Sequence, residues 1–357
     1  MINYKKIIEQ KSKNKKIVIW GMGSYGKASY DMFCDAGITI DFFCDKDTKK
    51  IGTKYRNTIC LTCEEVLSYP DSFFVLIANQ FLKDICQELI SNNFSHDDFN
   101  IIPSPYKINF DNAIELISEP ELKCKIESLN NILADQKSRD ILNKLTDVWY
   151  KNNIVSDEFE TIYEENQYFC SDIISMDNNT VYVDVGAYLG DSLKPFLKNN
   201  NGIFKKAICF ELNKDIYIKL CKVVDEFDDN IKNKVIVVNN GISDREETIT
   251  YVNTEGSSHI GNGGSEVGCL TTLDKYFSED VPTLIKMDIE GSELSALRGG
   301  EDIIKKYKPD LAICIYHKLQ DVWEIPEYLK TLVPEYKIYF RHHSKTMIET
   351  VCYATVK

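Results

Sequence analysis

The chain has 357 residues, about 2.4 times a 150-residue domain, so two domains are expected. Its 42 Lys and Arg against 55 Asp and Glu leave a net charge of −13, which repels nucleic acid and anionic lipid because the bases cluster only briefly, at Lys11–Lys16. With 43% apolar and 27% charged residues it has the makings of a soluble globular protein, and no run reaches the roughly 20 apolar residues that span a bilayer.

The charged N-terminus, MINYKKIIEQKSKNKK, lacks the apolar stretch of a secretory signal, so a cytoplasmic location is expected. Lys16–Trp20 reads as a strand, followed by a helix from Tyr25 to Ala36. Strands over Ile38–Cys44 and Phe73–Ala78 and a helix over Phe81–Asn92 follow. Strands alternating with helices predict a parallel sheet covered on both faces. From Tyr106 to Asn179 no strand-like run occurs. Glu121–Lys151 carries Ile126, Leu129, Leu133, Ile141, Leu145 and Val148 near helical spacing and reads as a helical connector.

The alternation restarts at Thr180, with strands predicted at Val181–Val185, Ala207–Phe210, Val235–Val238, Leu284–Met287 and Leu311–Tyr316. Helices fit at Leu189–Lys198, Asp215–Glu226 and Ser292–Lys306. Two last strands, Tyr336–Arg341 and Thr350–Thr355, are too close for a parallel crossover and must pair antiparallel. Asn253–Gly264 (NTEGSSHIGNGG) has the composition of a mobile loop, a candidate lid. The expected fold class is therefore α/β, with two Rossmann-like three-layer domains, residues 1–105 and 180–357, joined by the connector 106–179.

Twelve cysteines raise the question of disulfides or metal. Most stand singly in apolar stretches, as Cys209 and Cys314 do, and behave as reduced hydrophobes. Cys60 and Cys63 form one CxxC, but no second ligand pair lies nearby, so no zinc site is expected. Thr62 and Glu65 in the same stretch have the spacing of a capping box.

Two glycine loops carry different chemistry. Gly21, Gly23 and Gly26 form GxGxxG between a strand and a helix, with Asp45 at the end of the second strand. That is the dinucleotide fingerprint: close backbone approach, a helix N-terminus for phosphate and an acid for a ribose hydroxyl. It reads equally as a Rossmann-type turn with packing glycines. The second loop, Asp184-Val-Gly186-Ala-Tyr188-Leu-Gly190-Asp191-Ser192, is acidic. Its carboxylates disfavour a pyrophosphate and suit a ligand with a cationic end, such as the ammonium and sulfonium of S-adenosylmethionine. Glu211, ending the next strand, can take both hydroxyls of an adenosyl ribose.

A third group is Lys286-Met287-Asp288-Ile289-Glu290-Gly291-Ser292-Glu293, in which Asp288 and Glu290 emerge from the carboxyl end of a central strand. Glu293 falls in a first helical turn, where a negative charge is favoured by the dipole alone. Asp288 at the strand tip faces the ligand rim, and the next strand delivers Tyr316, His317 and Lys318 to that rim. Arg341, His342 and His343 are candidate acceptor contacts or a solvated turn.

VYVDVGAYLGDS, FEL, NNGISD, TTLD, LIKMDIEGSELSALRGG, IYHKLQDVWEIPEYL and YFRHH, in this order and spacing, resemble the FkbM family of S-adenosylmethionine-dependent methyltransferases. The resemblance runs from about Asn166 to Val356 and includes the lead-in QYFCSDII. The N-terminal part is similar in a general way to the Rossmann-like domain preceding several sugar-modifying enzymes. The family implies a class I methyltransferase fold, a seven-stranded mostly parallel sheet whose last-but-one strand in sequence lies at the edge. It also implies O-methylation of sugars, glycans or polyketide-type products. Carried over by position, Asp184, Gly186, Tyr188, Gly190, Asp191 and Ser192 would surround the methionine end of the cofactor. Glu211 and Leu212 would hold the ribose side, and Gly241 and Ile242 would border the adenine.

On the acceptor side, His317 is the expected base because neutral imidazole is available at pH 7, with Asp288 a second base or an orienting group. No metal is assigned; a divalent ion bridging Asp288 and a neighbouring carboxylate is the variant that EDTA-insensitive activity would exclude. A nucleotide or nucleotide sugar is the candidate ligand of the N-terminal loop. The expected partner is a small-molecule or glycan acceptor, without nucleic acid or membrane; a homo-oligomer is allowed. Two rival readings stand: an NAD-dependent oxidoreductase using the first loop, and a non-catalytic nucleotide-sugar-binding protein.

Overall fold

The computed structural model describes residues 4–78, 82–102, 119–151, 158–254, 257–260, 266–277, 281–318, 320–345 and 348–357. The chain divides into two units, residues 1–127 with 142–161, and residues 128–141 with 162–357. The stretch read as a connector is thus shared between the units. Its described part holds helices Glu119–Ile132, Gln136–Lys151 and Glu158–Ile162.

The first unit contains β1 (Lys16–Trp20), β2 (Phe42–Asp45), β3 (Lys54–Tyr55), β4 (Thr58–Thr62), β5 (Phe73–Ile77) and β6 (Phe99–Ile101). They form one sheet in the order β3-β4-β2-β1-β5-β6, parallel except for β3 against β4. Helices Ser24–Asp35, Cys63–Leu67 and Leu82–Ser91 alternate with the strands. β5 is a continuous apolar run, FFVLI, and is buried throughout, as a strand covered on both faces must be. Two departures from the sequence reading have local causes. β2 starts only at Phe42; Ile38 and Ile40 are buried off the ladder. β4 was hidden by the polar signal at its end, where Thr62 both closes the strand and caps a helix. Its Oγ1 accepts the Glu65 N–H at 3.0 Å and its N–H donates to Glu65 Oε2 at 2.7 Å.

The second unit contains β7 (Val181–Val185), β8 (Lys206–Phe210), β9 (Val235–Val238), β10 (Gly241–Ile242), β11 (Glu247–Thr254), β12 (Ser257–Ile260), β13 (Glu266–Thr271), β14 (Leu284–Met287), β15 (Asp310–Cys314), β16 (Lys337–His342) and β17 (Thr350–Thr355). A seven-stranded sheet runs β16-β17-β15-β14-β7-β8-β9, with β17 antiparallel to both neighbours. From β7 the chain builds outward through β8 and β9, then restarts at β14 on the other side. The strand order reverses between β7 and β14, so their carboxyl ends flank the crevice where open α/β sheets bind ligands. Tyr182 stacks on Phe196 with ring centroids 4.3 Å apart, fixing helix Leu193–Asn199 to β7.

β10, β13, β11 and β12 form a small second sheet that periodicity did not reveal. The expected lid is part of it: Asn253 pairs with Ser258 and Thr254 with Ser257, a ladder continuing the Thr-rich strand ETITYVNT. Residues 255–256 and 261–264 of that stretch lie outside the described residues. The helix expected over Ser292–Lys306 breaks at Gly299-Gly300 into Glu293–Arg298 and Glu301–Tyr307.

The outer side of β16 is covered. Ala134 N–H donates to Ile338 O at 2.8 Å, and Glu164 N–H to His342 O at 2.9 Å. Phe340 N–H donates to Ser138 Oγ at 2.9 Å, and Arg341 Nη1 to Phe340 O at 2.7 Å. The buried Arg341 guanidinium also reaches Asp135 and Asp172 at 2.7 Å and Glu164 at 3.2 Å. His342 is fully buried, and His343 lies between Glu164 O and the Tyr353 hydroxyl, each at 2.9 Å. Arg341, His342 and His343 are therefore interior residues, neither a solvated turn nor a surface open to an acceptor. Among the described residues, no helix is long and apolar enough to cross a membrane.

Candidate active site

β7 and β14 lie in register, Asp184 opposite Lys286 and Val185 opposite Met287. Asp184 is 0% and Lys286 2% exposed, and Asp184 Oδ1 stands 3.0 Å from Lys286 Nζ. The Ser192 hydroxyl donates to the other Asp184 oxygen, and Lys286 Nζ donates to the Gly186 carbonyl at 2.7 Å. Burial pushes the Lys286 ammonium toward neutrality, but Asp184 and Asp288 outweigh it and hold its pKa above the ordinary lysine value. A buried charge persists only when compensated in this way. The carboxylate expected to face a ligand is turned inward and sets the shape of the loop. Gly186, Tyr188 and Gly190 have φ of +84°, +46° and +79°, which fold the chain back on itself. A Cβ on Gly186 would sit 2.0 Å from the Asp288 carbonyl oxygen, so the loop and the tip of β14 touch backbone to backbone. Asp191 is exposed at the far end of the loop, and Ser192 is buried.

Glu211, one residue past β8, is 8% exposed. Its Oε2 accepts the Tyr188 N–H at 3.0 Å and its Oε1 the Asn213 N–H at 2.8 Å. Each oxygen spends one acceptor position on the backbone and keeps another. Burial raises the Glu211 pKa above the ordinary value, with the two amides pulling the other way. Asn239 Nδ2 pins the turn by donating to the carbonyls of Glu211 at 2.8 Å and Leu212 at 3.1 Å. Leu212 packs where side chains on Gly241 and Gly268 would stand, with Leu212 Cδ1 3.4 and 2.5 Å from the two Cβ positions. Ile242 is buried behind them. The residues expected around a cofactor thus converge on the carboxyl ends of β7, β8 and β10, although Asp184 and Ile242 do so from beneath.

Across the switch point, Asp288 follows β14 and His317 follows β15. His317 is 1% exposed and is surrounded by carboxylates: Nε2 stands 3.3 Å from Asp288 Oδ1 and 3.5 Å from Glu290 Oε2, and Nδ1 2.9 Å from Glu293 Oε1. Tyr168 and Tyr316 hydroxyls donate to Asp288 at 2.8 and 3.2 Å. Burial pushes the Asp288 carboxyl up, but Lys286, His317 and the two phenols outweigh it and hold it below the usual carboxylate range. Glu293 is completely buried; its Oε1 also accepts the Ile289 N–H at 2.9 Å, and its Oε2 has no hydrogen-bond partner among the described residues. The cluster opens on one side, where the Asp288 and Glu290 side chains are 25% and 35% exposed. Behind it, burial pushes the Asp321 carboxyl up to about 7, with Glu293 adding to the effect. One ligand atom each from Asp288, Glu293 and His317 lies within 4.8 Å of the others, a spacing that could hold a metal ion.

The parts played by three of these residues were not legible in the sequence. Lys286 carried a signal, since a lone lysine inside the apolar strand LIKM requires a buried counter-charge. Tyr168 lay in the QYF lead-in without an assigned part. Glu293 was explained by the helix dipole, yet it turns inward against His317.

In the first unit, Gly26 approaches Gly21 so closely that a Cβ would sit 1.8 Å from its carbonyl oxygen. The loop closes on Asp45, whose Oδ2 accepts the Met22 N–H and meets Lys50 Nζ, both at 2.8 Å, while Oδ1 accepts the Asp47 N–H at 2.9 Å. Burial alone would raise the Asp45 pKa; Lys50 and the two amides lower it below the ordinary value. Gly21, Gly23, Gly26 and Asp45 are thus brought together, with both Asp45 oxygens engaged inside the protein.

The glycine loop and strand-end glutamate thus lie on one side of the switch point and the His–carboxylate cluster on the other. Residues 184–342 match the methyltransferase FkbM domain. The match spans Asp184, Glu211, Asp288 and His317, and leaves Tyr168 upstream of the FkbM domain. Residues 13–99 match a second family model, C2185-like, N-terminal. The crystal structure of methyltransferase FkbM from Methylobacillus flagellatus KT superposes with a TM-score of 0.74 over 99% of this chain and 93% of that one, at 21% identity. The two share a fold. Two shorter structures cover about half of this chain: an rRNA methylase from Streptococcus thermophilus (TM-score 0.34, 15% identity, 51% of this chain and 90% of that one), and SMU.1697c from Streptococcus mutans in complex with SAH (TM-score 0.34, 13% identity, 52% and 93%). No curated protein sequence matches the chain.

Proposed function

We propose that the chain is an S-adenosylmethionine-dependent methyltransferase that methylates a hydroxyl of a sugar, glycan or nucleotide-sugar-type acceptor. The observation that carries the reading is the pairing across the switch point: Glu211, with an acceptor position left on each oxygen, and His317, ringed by carboxylates at the neighbouring strand tips. Glu211 would receive the ribose hydroxyls, Leu212 and Gly241 would flank the adenine, and the Gly186–Gly190 loop would hold the methionine end. Asp184 acts on that loop through Lys286 and Ser192 rather than by direct contact. When bound, the cofactor supplies an electrophilic methyl group on a sulfonium.

On the acceptor side, the chain holds and deprotonates the hydroxyl. Glu293 faces His317 Nδ1 and leaves Nε2 to receive the proton as the new C–O bond forms. Asp288, kept ionised by Lys286 and its two tyrosines, orients the acceptor. Holding the two reactants in line contributes roughly 7–11 kcal/mol, and a base on the order of 10²–10⁴-fold. Gly21–Gly26 would hold a nucleotide or the nucleotide part of the acceptor. An NAD-dependent oxidoreductase would leave the acidic second loop and Glu211 without a part.

Calorimetry with S-adenosylmethionine, NAD and sugar nucleotides tests the reading. S-Adenosylmethionine should bind at micromolar concentration, and Glu211→Ala should weaken it about 10²-fold, the worth of two hydrogen bonds to a charged acceptor. NAD binding without S-adenosylmethionine binding overturns it.

A further inference from the structure

We propose that Asp288, Glu293 and His317 form a binding site for one divalent cation of the Mg²⁺, Mn²⁺ or Zn²⁺ kind. Around an ion about 2.1 Å from its ligands, neighbouring ligand atoms lie about 3 Å apart and opposite ones about 4.2 Å apart. His317 Nε2 and Asp288 Oδ1 are already at the neighbouring spacing, 3.3 Å. One ligand atom from each of the three residues falls within 4.8 Å of the others; Asp288 stands at Nε2 and Glu293 at Nδ1, so an ion shared by all three requires the imidazole or Glu293 to turn.

Two further observations point to a cation rather than to an imidazole packed among acids. The first is charge. Asp288, Glu290 and Glu293 all approach one histidine; Lys286 acts on Asp288 but bonds to Asp184 and the Gly186 carbonyl, and Lys318 bonds to the Gly291 carbonyl. The second is the Glu293 Oε2 atom. It belongs to a completely buried carboxylate lying against the His317 ring and has no hydrogen-bond partner among the described residues. An ionised oxygen in that position costs several kcal/mol unless something positive meets it.

The surroundings are those of ligands held in place by an outer tier. Tyr168 and Tyr316 hydroxyls orient Asp288, and the Ile289 N–H orients Glu293. One imidazole with two carboxylates is a hard-to-borderline donor set, which selects for these cations over soft ones. Glu290 stands at the solvent side, where an ion would enter. The inference rests on the methyltransferase reading of the crevice and changes one part in it. Were an ion held there, His317 would serve as a ligand instead of the base, the ion would supply Lewis acidity toward the acceptor hydroxyl, and Glu290, on the open side, would be the residue placed to take its proton.

The test uses the full chain, stripped with a chelator and titrated with Mn²⁺ while free Mn²⁺ is followed by electron paramagnetic resonance. One Mn²⁺ per chain should bind, displaced by Mg²⁺ or Zn²⁺, and pulsed spectra should show coupling to an imidazole nitrogen. Asp288→Asn and Glu293→Gln should each weaken binding at least tenfold, while Glu335→Gln, an exposed acid far along the chain, should not. No site tighter than on the order of 1 mM, bound Mn²⁺ without nitrogen coupling, or unchanged affinity in both variants overturns the proposal. If the variants fail to fold, the nitrogen coupling in the unsubstituted protein decides. S-Adenosylmethionine binding without Mn²⁺ binding sinks this inference alone, and Mn²⁺ binding without S-adenosylmethionine binding sinks the methyltransferase reading alone.

Discussion

Gly186→Ala probes the contact that joins the two halves of the crevice. The added Cβ would lie 2.0 Å from the Asp288 carbonyl oxygen and 2.9 Å from Ile289 Cγ2. Ordinary contact needs about 3.4 Å, so the strand tip or the loop must move by more than about 1 Å. The backbone adds a second penalty, because φ is +84°. Left-handed conformation costs a residue with a side chain about 1–2 kcal/mol, and overpacking a rigid site costs about 1–3 kcal/mol. The sum is a destabilisation of about 2–5 kcal/mol. Urea unfolding read beside S-adenosylmethionine calorimetry checks it: stability should fall by that amount, and affinity should fall because the loop is displaced. Gly23→Ala is the control, since a Cβ there meets nothing within 4 Å among the described residues. A loss below about 1 kcal/mol in Gly186→Ala, with affinity unchanged, would refute the claim that loop and strand tip are in backbone contact.

Two other predictions concern charges inside the second unit. Burial, with Arg341 adding to it, lowers the His343 pKa from 6.5 to about 3. A depressed histidine is neutral in the folded chain and gains its proton on unfolding, so stability is full above pH 6.5 and is lost as pH falls toward 3. From pH 7 to pH 5 the loss is about 2 kcal/mol; His343→Gln should remove that component of the pH dependence, and parallel curves for the two proteins would contradict it. Lys286→Met strands Asp184 without its counter-charge and should cost about 3–5 kcal/mol in thermal or urea unfolding. Adding Asp184→Leu should recover most of that loss, because a matched apolar pair replaces a buried ion pair at little cost; a double variant no better than the single would show that the pair is not coupled.

Much of the framework was legible because buried parallel strands are continuous apolar runs. VYVDV and LIKM, buried and parallel, stand where the pattern put them, and so do the half-exposed edge strand VIVV and the antiparallel TVCYAT. Short strands such as Gly241–Ile242 and Lys54–Tyr55 have too few residues for periodicity to register. Hairpin pairing overrode the Ser/Gly composition of Ser257–Ile260. For the site, the position of Asp288 and His317 at strand ends placed them on the crevice, since the topology fixes which end binds ligands. What one sequence does not carry is the direction of each side chain. Asp184 and Glu293 both precede or open helices by their spacing, and a capping role explains either; only packing shows Asp184 turned to Lys286 and Glu293 to His317. The acidity behind the net charge is thus partly neutralised inside the fold.

The segment laid along β16 has a consequence for assembly. An edge strand normally presents a row of unused amides and carbonyls on which another chain can template itself. Here the outward groups of Ile338, Phe340 and His342 are already taken by Ala134, Ser138, Arg341 and Glu164. A strand from a second copy or an extended peptide could add to this margin only after prising residues 134–138 and 164 away. That detachment would also strip the Arg341 guanidinium of two of its three carboxylates. The sheet is closed to augmentation on this side, and unfolding that begins by releasing residues 134–138 would be the event that opens it to aggregation.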